Sequence, residues 1–333
     1  MNLIITDVCN RSCPYCFASQ KVKLGDNDSD KQRGYISLEN VNTYLDFLEN
    51  SNVSELKLLG GEPTLHPEFN NIISLGVERG FFVTVFSNAI WNDNVLNFVS
   101  NNYGPEQIGF VLNINEPQYQ SAEEKQRQQK CFEAVGNSAR VGFNIYNEDF
   151  DIQFIADIIV QYSLKKSVRL GLAHPIVGTN NDFPDNESLS KIGDRLIEQL
   201  EILEKKDILG AFDCGFPVCM FKEEKLGSLF KCSTGFKSTC GPIIDVGIDL
   251  TAWPCFPLGK LCNVKLTDFD NRDHLIKYYE EKLAPIKALG SMDECLNCKY
   301  LKRGQCCGGC IGRTIRNWTA SGGDTRLLEK LGV

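Results

Sequence analysis

Fifteen cysteines against 3 histidines constrain this chain of 333 residues more than any other feature. Three fall within one short segment, Cys9-Asn10-Arg11-Ser12-Cys13-Pro14-Tyr15-Cys16, and eleven lie at or beyond Cys214. A small secreted domain would use such a number for disulfides. This chain is long, its thiols are clustered, and its start Met-Asn-Leu-Ile-Ile-Thr-Asp lacks the basic-then-apolar pattern of a signal peptide. The thiols therefore read as metal ligands, in a protein expected in the cytoplasm. Lys plus Arg number 35 and Asp plus Glu 43, a net charge of -8, so no cationic excess awaits nucleic acid or an acidic membrane. No apolar run approaches the ~20 residues of a membrane span.

From the N-terminus, short apolar runs alternate with stretches of helical period, the pattern of a parallel α/β sheet. Strands are predicted at residues 3–6, 55–59, 82–87, 108–113, 141–146 and 168–172. Val41, Tyr44, Leu45 and Leu48 share one helical face, as do Leu189, Ile192, Leu196, Leu200 and Leu203. Six such units suit an open, partial (β/α)6 barrel, in which ligands bind at the carboxyl ends of the strands. Near Ile208 the pattern changes. Gly, Pro and Cys become frequent, and periodic helix persists only around 274–289. This predicts a barrel over residues 1–207 and a small cysteine-rich domain over 208–333. The polar stretch 21–34 is either a lid or a solvated loop.

Three thiolates in one loop after the first strand can hold three irons of a four-iron cluster and leave the fourth open, or form a zinc site with a remote fourth ligand. A second motif, Leu58-Leu59-Gly60-Gly61-Glu62-Pro63-Thr64, follows the second strand. Its glycines permit close backbone approach, and Glu62 offers a carboxylate to an ammonium group. Together, Cys9, Cys13, Cys16 and this Gly-Gly-Glu-Pro segment resemble the defining motifs of the radical S-adenosylmethionine (radical SAM) enzymes. The resemblance implies a 4Fe-4S cluster on the three cysteines, with SAM chelating its open iron. It also implies an electron donor such as flavodoxin or ferredoxin. Tyr15 would then contact the adenine, Gly60, Gly61 and Glu62 the SAM amino group, and Ser87 and Asn88 its polar atoms. Asn113, Asn115 and Asn144 are candidates for the ribose or substrate, or else cap their own strand ends. His174, after the sixth strand, is a candidate proton-transfer residue. Arg169 is a candidate lumen cation. His66, His274 and Cys131 read as structural.

The C-terminal stretch from Cys240 to Cys255, followed by Cys295-Leu296-Asn297-Cys298 and Cys306-Cys307-Gly308-Gly309-Cys310, resembles the SPASM extension of that family, which binds auxiliary iron-sulfur clusters. Three features depart from it. The Cys298 to Cys306 spacing is long, no cysteine follows Cys310, and Cys214, Cys219 and Cys232 lie upstream. An upstream thiol is therefore expected to replace the last ligand, giving two auxiliary clusters. One cluster with free cysteines, or zinc, are the alternatives. Family members with this extension often modify peptides or proteins, so a peptide substrate is expected. Only eight residues precede Cys9, so leader recognition is expected to need a separate binding protein or the C-terminal region.

Overall fold

Six apolar runs form parallel strands in the computed structural model, which describes residues 1–18, 23–24 and 34–323. They are β1 (Asn2–Ile4), β2 (Glu55–Leu59), β3 (Phe82–Ser87), β4 (Ile108–Asn113), β5 (Ala139–Ile145) and β6 (Ser167–Leu172), each within two residues of its predicted bounds. Parallel neighbours cannot be joined by a tight turn, so helices carry the chain back. These are α1 (Leu38–Asn50), α2 (Phe69–Glu78), α3 (Asp93–Asn102), α4 (Ala122–Val135), α5 (Gln153–Gln161) and α6 (Leu189–Glu204). The predicted apolar faces of α1 and α6 are the buried ones. Ser37 caps α1 by accepting the Asn40 N–H at 3.1 Å, and Ser121 with Glu124 closes a capping box on α4.

The sheet continues past these six. β7 (Leu209–Phe212) joins β6 in parallel, while β8 (Asp245–Val246), β9 (Thr251–Trp253) and β10 (Val264–Lys265) extend the other edge from β1. The order is β10-β9-β8-β1-β2-β3-β4-β5-β6-β7, so the sheet runs across position 207. An open barrel leaves two rows of unpaired backbone groups, and the C-terminal third covers both. The fold is thus a partial, TIM-like (β/α)6 barrel with a cysteine-rich C-terminal region. There α7 (Arg272–Lys287) matches the one periodic stretch expected, and α8 (Ile311–Ala320) was not expected. Among the described residues no helix is long and apolar enough to cross a membrane. The candidate lid at 21–34 lies outside the described residues, apart from positions 23, 24 and 34.

Asp245 joins the two parts. Asn2 pairs with it in register and donates its Nδ2 to Asp245 Oδ1 at 2.6 Å. Burial pushes its carboxyl up from 3.8 to about 6, against the hydrogen bonds from Asn2 and the Phe256 N–H. A folded value above the unfolded one means that this group's contribution to stability is full below pH ~4 and is lost as pH rises through about 6. Asp245→Asn removes that loss. Between pH 4 and 7, urea unfolding should show the variant gaining up to about 3 kcal/mol on the wild type. A difference that stays constant over this range would mean that the carboxyl is not held protonated.

Candidate active site

The carboxyl ends of β1 and β2 are locked together by backbone contact that only glycine permits. Gly61 N–H donates to Thr6 O at 2.9 Å and Glu62 N–H to Val8 O at 2.8 Å, laying the Gly-Gly-Glu segment against the entry of the cysteine loop. A Cβ on Gly60 would sit 2.7 Å from Thr6 O, and one on Gly61 2.6 Å from Val8 C and 2.9 Å from Cys9 Cβ.

Glu62 is fully buried and accepts from Thr64 Oγ1 at 2.7 Å, Ser87 Oγ at 2.8 Å, Asn88 N–H at 2.8 Å and Thr64 N–H at 3.3 Å. Burial raises its pKa against these four donors. The carboxylate thus ties β2 to the end of β3, besides lying near enough to Cys9 to push that thiol's pKa up. Ser87 is an anchor as well: its Oγ accepts from Trp91 Nε1 at 2.7 Å. Asn88 reaches the cysteine loop, donating to Asn10 Oδ1 at 2.7 Å.

Cys9, Cys13 and Cys16 come together. Burial is the main cause that pushes Cys9 to about 12 and Cys16 to about 11, with the neighbouring thiols adding to it. Buried thiols of this kind become thiolates only when a metal supplies positive charge, which is what an iron cluster provides. A small apolar cluster of Ile4, Ala18, Leu59, Trp253 and Phe256 packs against Cys16 and Phe17 and keeps water from that side. Sequence reasoning missed Arg11. Its Nε bonds Glu124 Oε1 at 3.0 Å, so the glutamate that caps α4 also holds the cysteine loop. The only signal for this was a charge inside the loop and a capping box on a helix far along the chain.

Beyond the loop opens a cavity of about 580 Å³, whose lining includes Arg11, Tyr15, Asn115, Glu116, Tyr119, Glu124, Asn144, Tyr146 and Asp182. Tyr15 stacks on Tyr146 with centroids 4.8 Å apart, and its hydroxyl donates to Asn115 Oδ1. Asn115 and Asn144 therefore face the cavity, while Asn113 turns to Arg169 Nη1 at 3.3 Å. Arg169 lies over the Phe86 ring at 5.4 Å and pairs with Asp213, next to Cys214. His174 is not on the cavity wall. Its ring lies against Gly215, in the cysteine-rich region. His66 bonds Ile36 O and Glu68 N–H, His274 is an exposed neighbour of Asp270, and Cys131 is a buried thiol, all in structural positions.

The C-terminal thiols sort into two fours by which of them act on one another. Cys214, Cys240, Cys255 and Cys310 form one set: burial first, then these neighbours, with Cys307 adding to Cys214 and Cys240, raises Cys214, Cys240 and Cys310 to about 12 and Cys255 well above its usual value. Cys219 forms the other with Cys295, Cys298 and Cys306, which together with burial push it to about 11. Cys307 lies between the sets but is engaged otherwise. Its thiol donates to Ser238 O at 3.2 Å and Gly309 O at 3.1 Å and accepts the Cys240 N–H at 3.1 Å. Cys232 is brought to neither set, its charged neighbours being Glu204, Glu201 and Lys231. Among the described residues no three His, Cys, Asp or Glu side chains already form a cage for a single metal ion. Buried thiols in two fours, with Gly308 and Gly309 at φ of 75° and 92° allowing the tight turn between them, fit cysteine-held iron clusters.

Residues 3–148 match the family model described as the Radical SAM superfamily. One relative, an S-adenosylmethionine-dependent nucleotide dehydratase of Selenomonas ruminantium, is 33% identical over 90 residues, 27% of this chain and 29% of that protein. A GTP 3′,8-cyclase of Vibrio parahaemolyticus is 30% identical over 73 residues, 22% of this chain and 21% of that protein. The match thus spans less than a third of the length of these curated relatives. Among solved structures, Streptococcus suis SuiB bound to S-adenosylmethionine superposes with a TM-score of 0.64 at 16% identity, covering 94% of this chain and 73% of SuiB. SuiB has also been solved with its precursor peptide SuiA, at a TM-score of 0.63 over 94% of this chain and 72% of that one. Native anSMEcpe with bound AdoMet gives 0.57 at 16% identity, over 99% of this chain and 98% of that chain. At such identities the likeness is one of fold.

Proposed function

We propose that this chain, a radical SAM enzyme with a SPASM-like C-terminal region, modifies a peptide or protein. With a reduced 4Fe-4S cluster and SAM bound at Cys9, Cys13 and Cys16, the chemistry supplied is homolysis of SAM and removal of a hydrogen atom from the substrate by the resulting 5′-deoxyadenosyl radical. The protein's part is to hold and exclude. Glu62 and the two glycines fix the cysteine loop, the Trp253 and Phe256 cluster keeps water off its flank, and the Tyr15 and Tyr146 stack walls the cavity. Residues 208–333 would carry two auxiliary clusters, one on Cys214, Cys240, Cys255 and Cys310 and the other on Cys219, Cys295, Cys298 and Cys306.

The composition of the cavity carries the choice of substrate. Its lining holds three carboxylates, Glu116, Glu124 and Asp182, and one cation, Arg11, which already faces Glu124. A nucleoside triphosphate needs several cations or a backbone anion nest for its phosphates. Among the described residues the lining supplies neither, although the two curated relatives are named for nucleotide chemistry. Neutral or cationic groups among asparagines and tyrosines describe a peptide better. The SuiB structure with its precursor peptide is in line with that reading for a related fold.

The test is 5′-deoxyadenosine formation by the anaerobically reconstituted, dithionite-reduced enzyme with SAM alone, with purine nucleoside triphosphates, and with short peptides encoded beside its gene. A peptide should accelerate the product at least tenfold and transfer deuterium from a labelled side chain into it. Acceleration by a nucleotide and by no peptide would overturn the substrate class. No product with a filled cluster would overturn the activity.

A further inference from the structure

Two buried basic side chains beside the first auxiliary thiol set have donor atoms with no well-formed hydrogen bond among the described residues. His174 lies against Gly215, where a Cβ would overlap its Nε2, and both ring nitrogens are out of solvent; a Cys214 backbone group lies near enough to act on the ring but makes no well-formed hydrogen bond with it. Arg313 is 3% exposed. Its Nη1 donates to Asn186 Oδ1 at 3.0 Å and its guanidinium lies 5.5 Å from the Phe183 ring, while Nη2 is buried and unpartnered. The two residues lie beside the same thiol set and near each other, the Arg313 charge acting on His174. His174 packs on the Cys214-Gly215 backbone. Arg313 follows Cys310 by three residues, and its cation is among the charges acting on that thiol. Pro175, next to His174, approaches Gly312 so closely that a Cβ there would sit 2.6 Å from Pro175 O, and the same Cβ would be 3.7 Å from Cys310 Sγ.

Buried donors are almost always bonded, so two unbonded ones at one place point to an acceptor outside the described residues. Sulfur atoms of an iron cluster are such acceptors, and hydrogen bonds or positive charge directed at them favour the reduced, more negative state. We infer that His174 and Arg313 are positioning residues which donate to the cluster held by Cys214, Cys240, Cys255 and Cys310 and raise its reduction potential. The inference rests on the auxiliary clusters proposed above. It assigns His174 a role at the electron-carrying end of the molecule in place of proton transfer at the substrate.

Shape-keeping variants separate tuning from scaffolding: His174→Phe and Arg313→Met remove the donors, and Arg313→Lys keeps the charge. In the full, anaerobically reconstituted chain, iron and sulfide are counted first. The potentials of the auxiliary clusters are then followed by electron paramagnetic resonance, with the signal of the first set identified by its loss in Cys255→Ala. The expected result is unchanged iron and at least a tenfold weaker reduction of that one cluster in His174→Phe and in Arg313→Met. For a one-electron couple this is a fall of about 59 mV. Arg313→Lys should retain most of the wild-type potential, and the second auxiliary cluster should not move. Full iron with unmoved potentials overturns the inference, as does an equal shift of both clusters. Loss of about four irons in both donor-free variants assigns the pair a scaffolding role and overturns it too. Wild type holding only about four irons would overturn the auxiliary clusters themselves, before any variant is compared.

Discussion

5′-Deoxyadenosine formation should fall to the reagent background when Cys9, Cys13 and Cys16 are replaced together by alanine, with iron content lower by about four per chain. The three thiols are neighbours in one loop, each raised or raising another through its charge, and the cysteines acting on Cys9 and Cys16 are those of the loop itself. Without them no seat remains for the open iron that SAM must chelate. About twelve irons in the wild type and eight in the variant are expected, since each four-iron cluster takes its own set of thiols. The comparison that gives this meaning is a set of single variants elsewhere. Cys131→Ala and Cys232→Ala should keep all the iron, because neither thiol has a cysteine among its charged neighbours. Cys307→Ser should keep it too, because that thiol is bonded to two carbonyls. Cys219→Ala should lose about four. Triple-variant protein that still makes 5′-deoxyadenosine at the wild-type rate would remove the basis for assigning the chemistry to this loop.

The reason these outcomes differ was only partly legible in the sequence. The barrel strands were, since all but the three-residue β1 are runs of five to seven largely apolar residues, and the apolar faces of α1 and α6 repeat at helical spacing. β8, β9 and β10 were not. They are two or three residues long, too short for a period, and β8 is placed by pairing with β1 from the far end of the chain. α8 follows Cys-Gly-Gly-Cys directly and begins on Cys310 without a side-chain cap, so it carries none of the usual start signals.

At the site the same division holds. The thiols of the loop and the Gly-Gly-Glu segment are local patterns, and both stand where strand ends place them. What a residue does with its side chain depends on distant partners. Glu62 was read as a carboxylate for an ammonium group, and the structure gives it four donors from Thr64, Ser87 and Asn88. The eleven C-terminal cysteines could be counted but not grouped, because Cys214 and Cys219 lie only five residues apart and go to different sets. In the proposed allocation Cys219 would be the upstream thiol that the missing last cysteine called for, completing the second four.

Gly61→Ala should lower 5′-deoxyadenosine formation by a hundredfold or more while leaving the auxiliary thiols untouched. The added carbon would fall 2.6 Å from Val8 C and 2.9 Å from Cys9 Cβ, inside the closest approach that real side-chain carbons make. One obstacle is backbone, which cannot swing aside as the end of a long side chain can. The other is the first cysteine of the loop. Relief requires the Gly61 to Thr6 and Glu62 to Val8 hydrogen bonds, at 2.9 and 2.8 Å, to lengthen. Cys9 then moves relative to Cys13 and Cys16, and Glu62 pulls on Ser87 and Asn88, through which Asn88 holds Asn10. A displacement of about 1 Å at a reacting centre costs on the order of a hundredfold in rate. Overpacking of this size also costs typically 1–3 kcal/mol in stability. The measurement is the rate of SAM cleavage beside iron content and the urea midpoint, with Gly80→Ala as control. A Cβ on Gly80 meets no atom within 4 Å, though its φ of +84° carries backbone strain of its own. A Gly61→Ala enzyme that cleaves SAM within threefold of the wild type, at equal iron, would mean that the close approach of β2 to the cysteine loop does not set the geometry of the site.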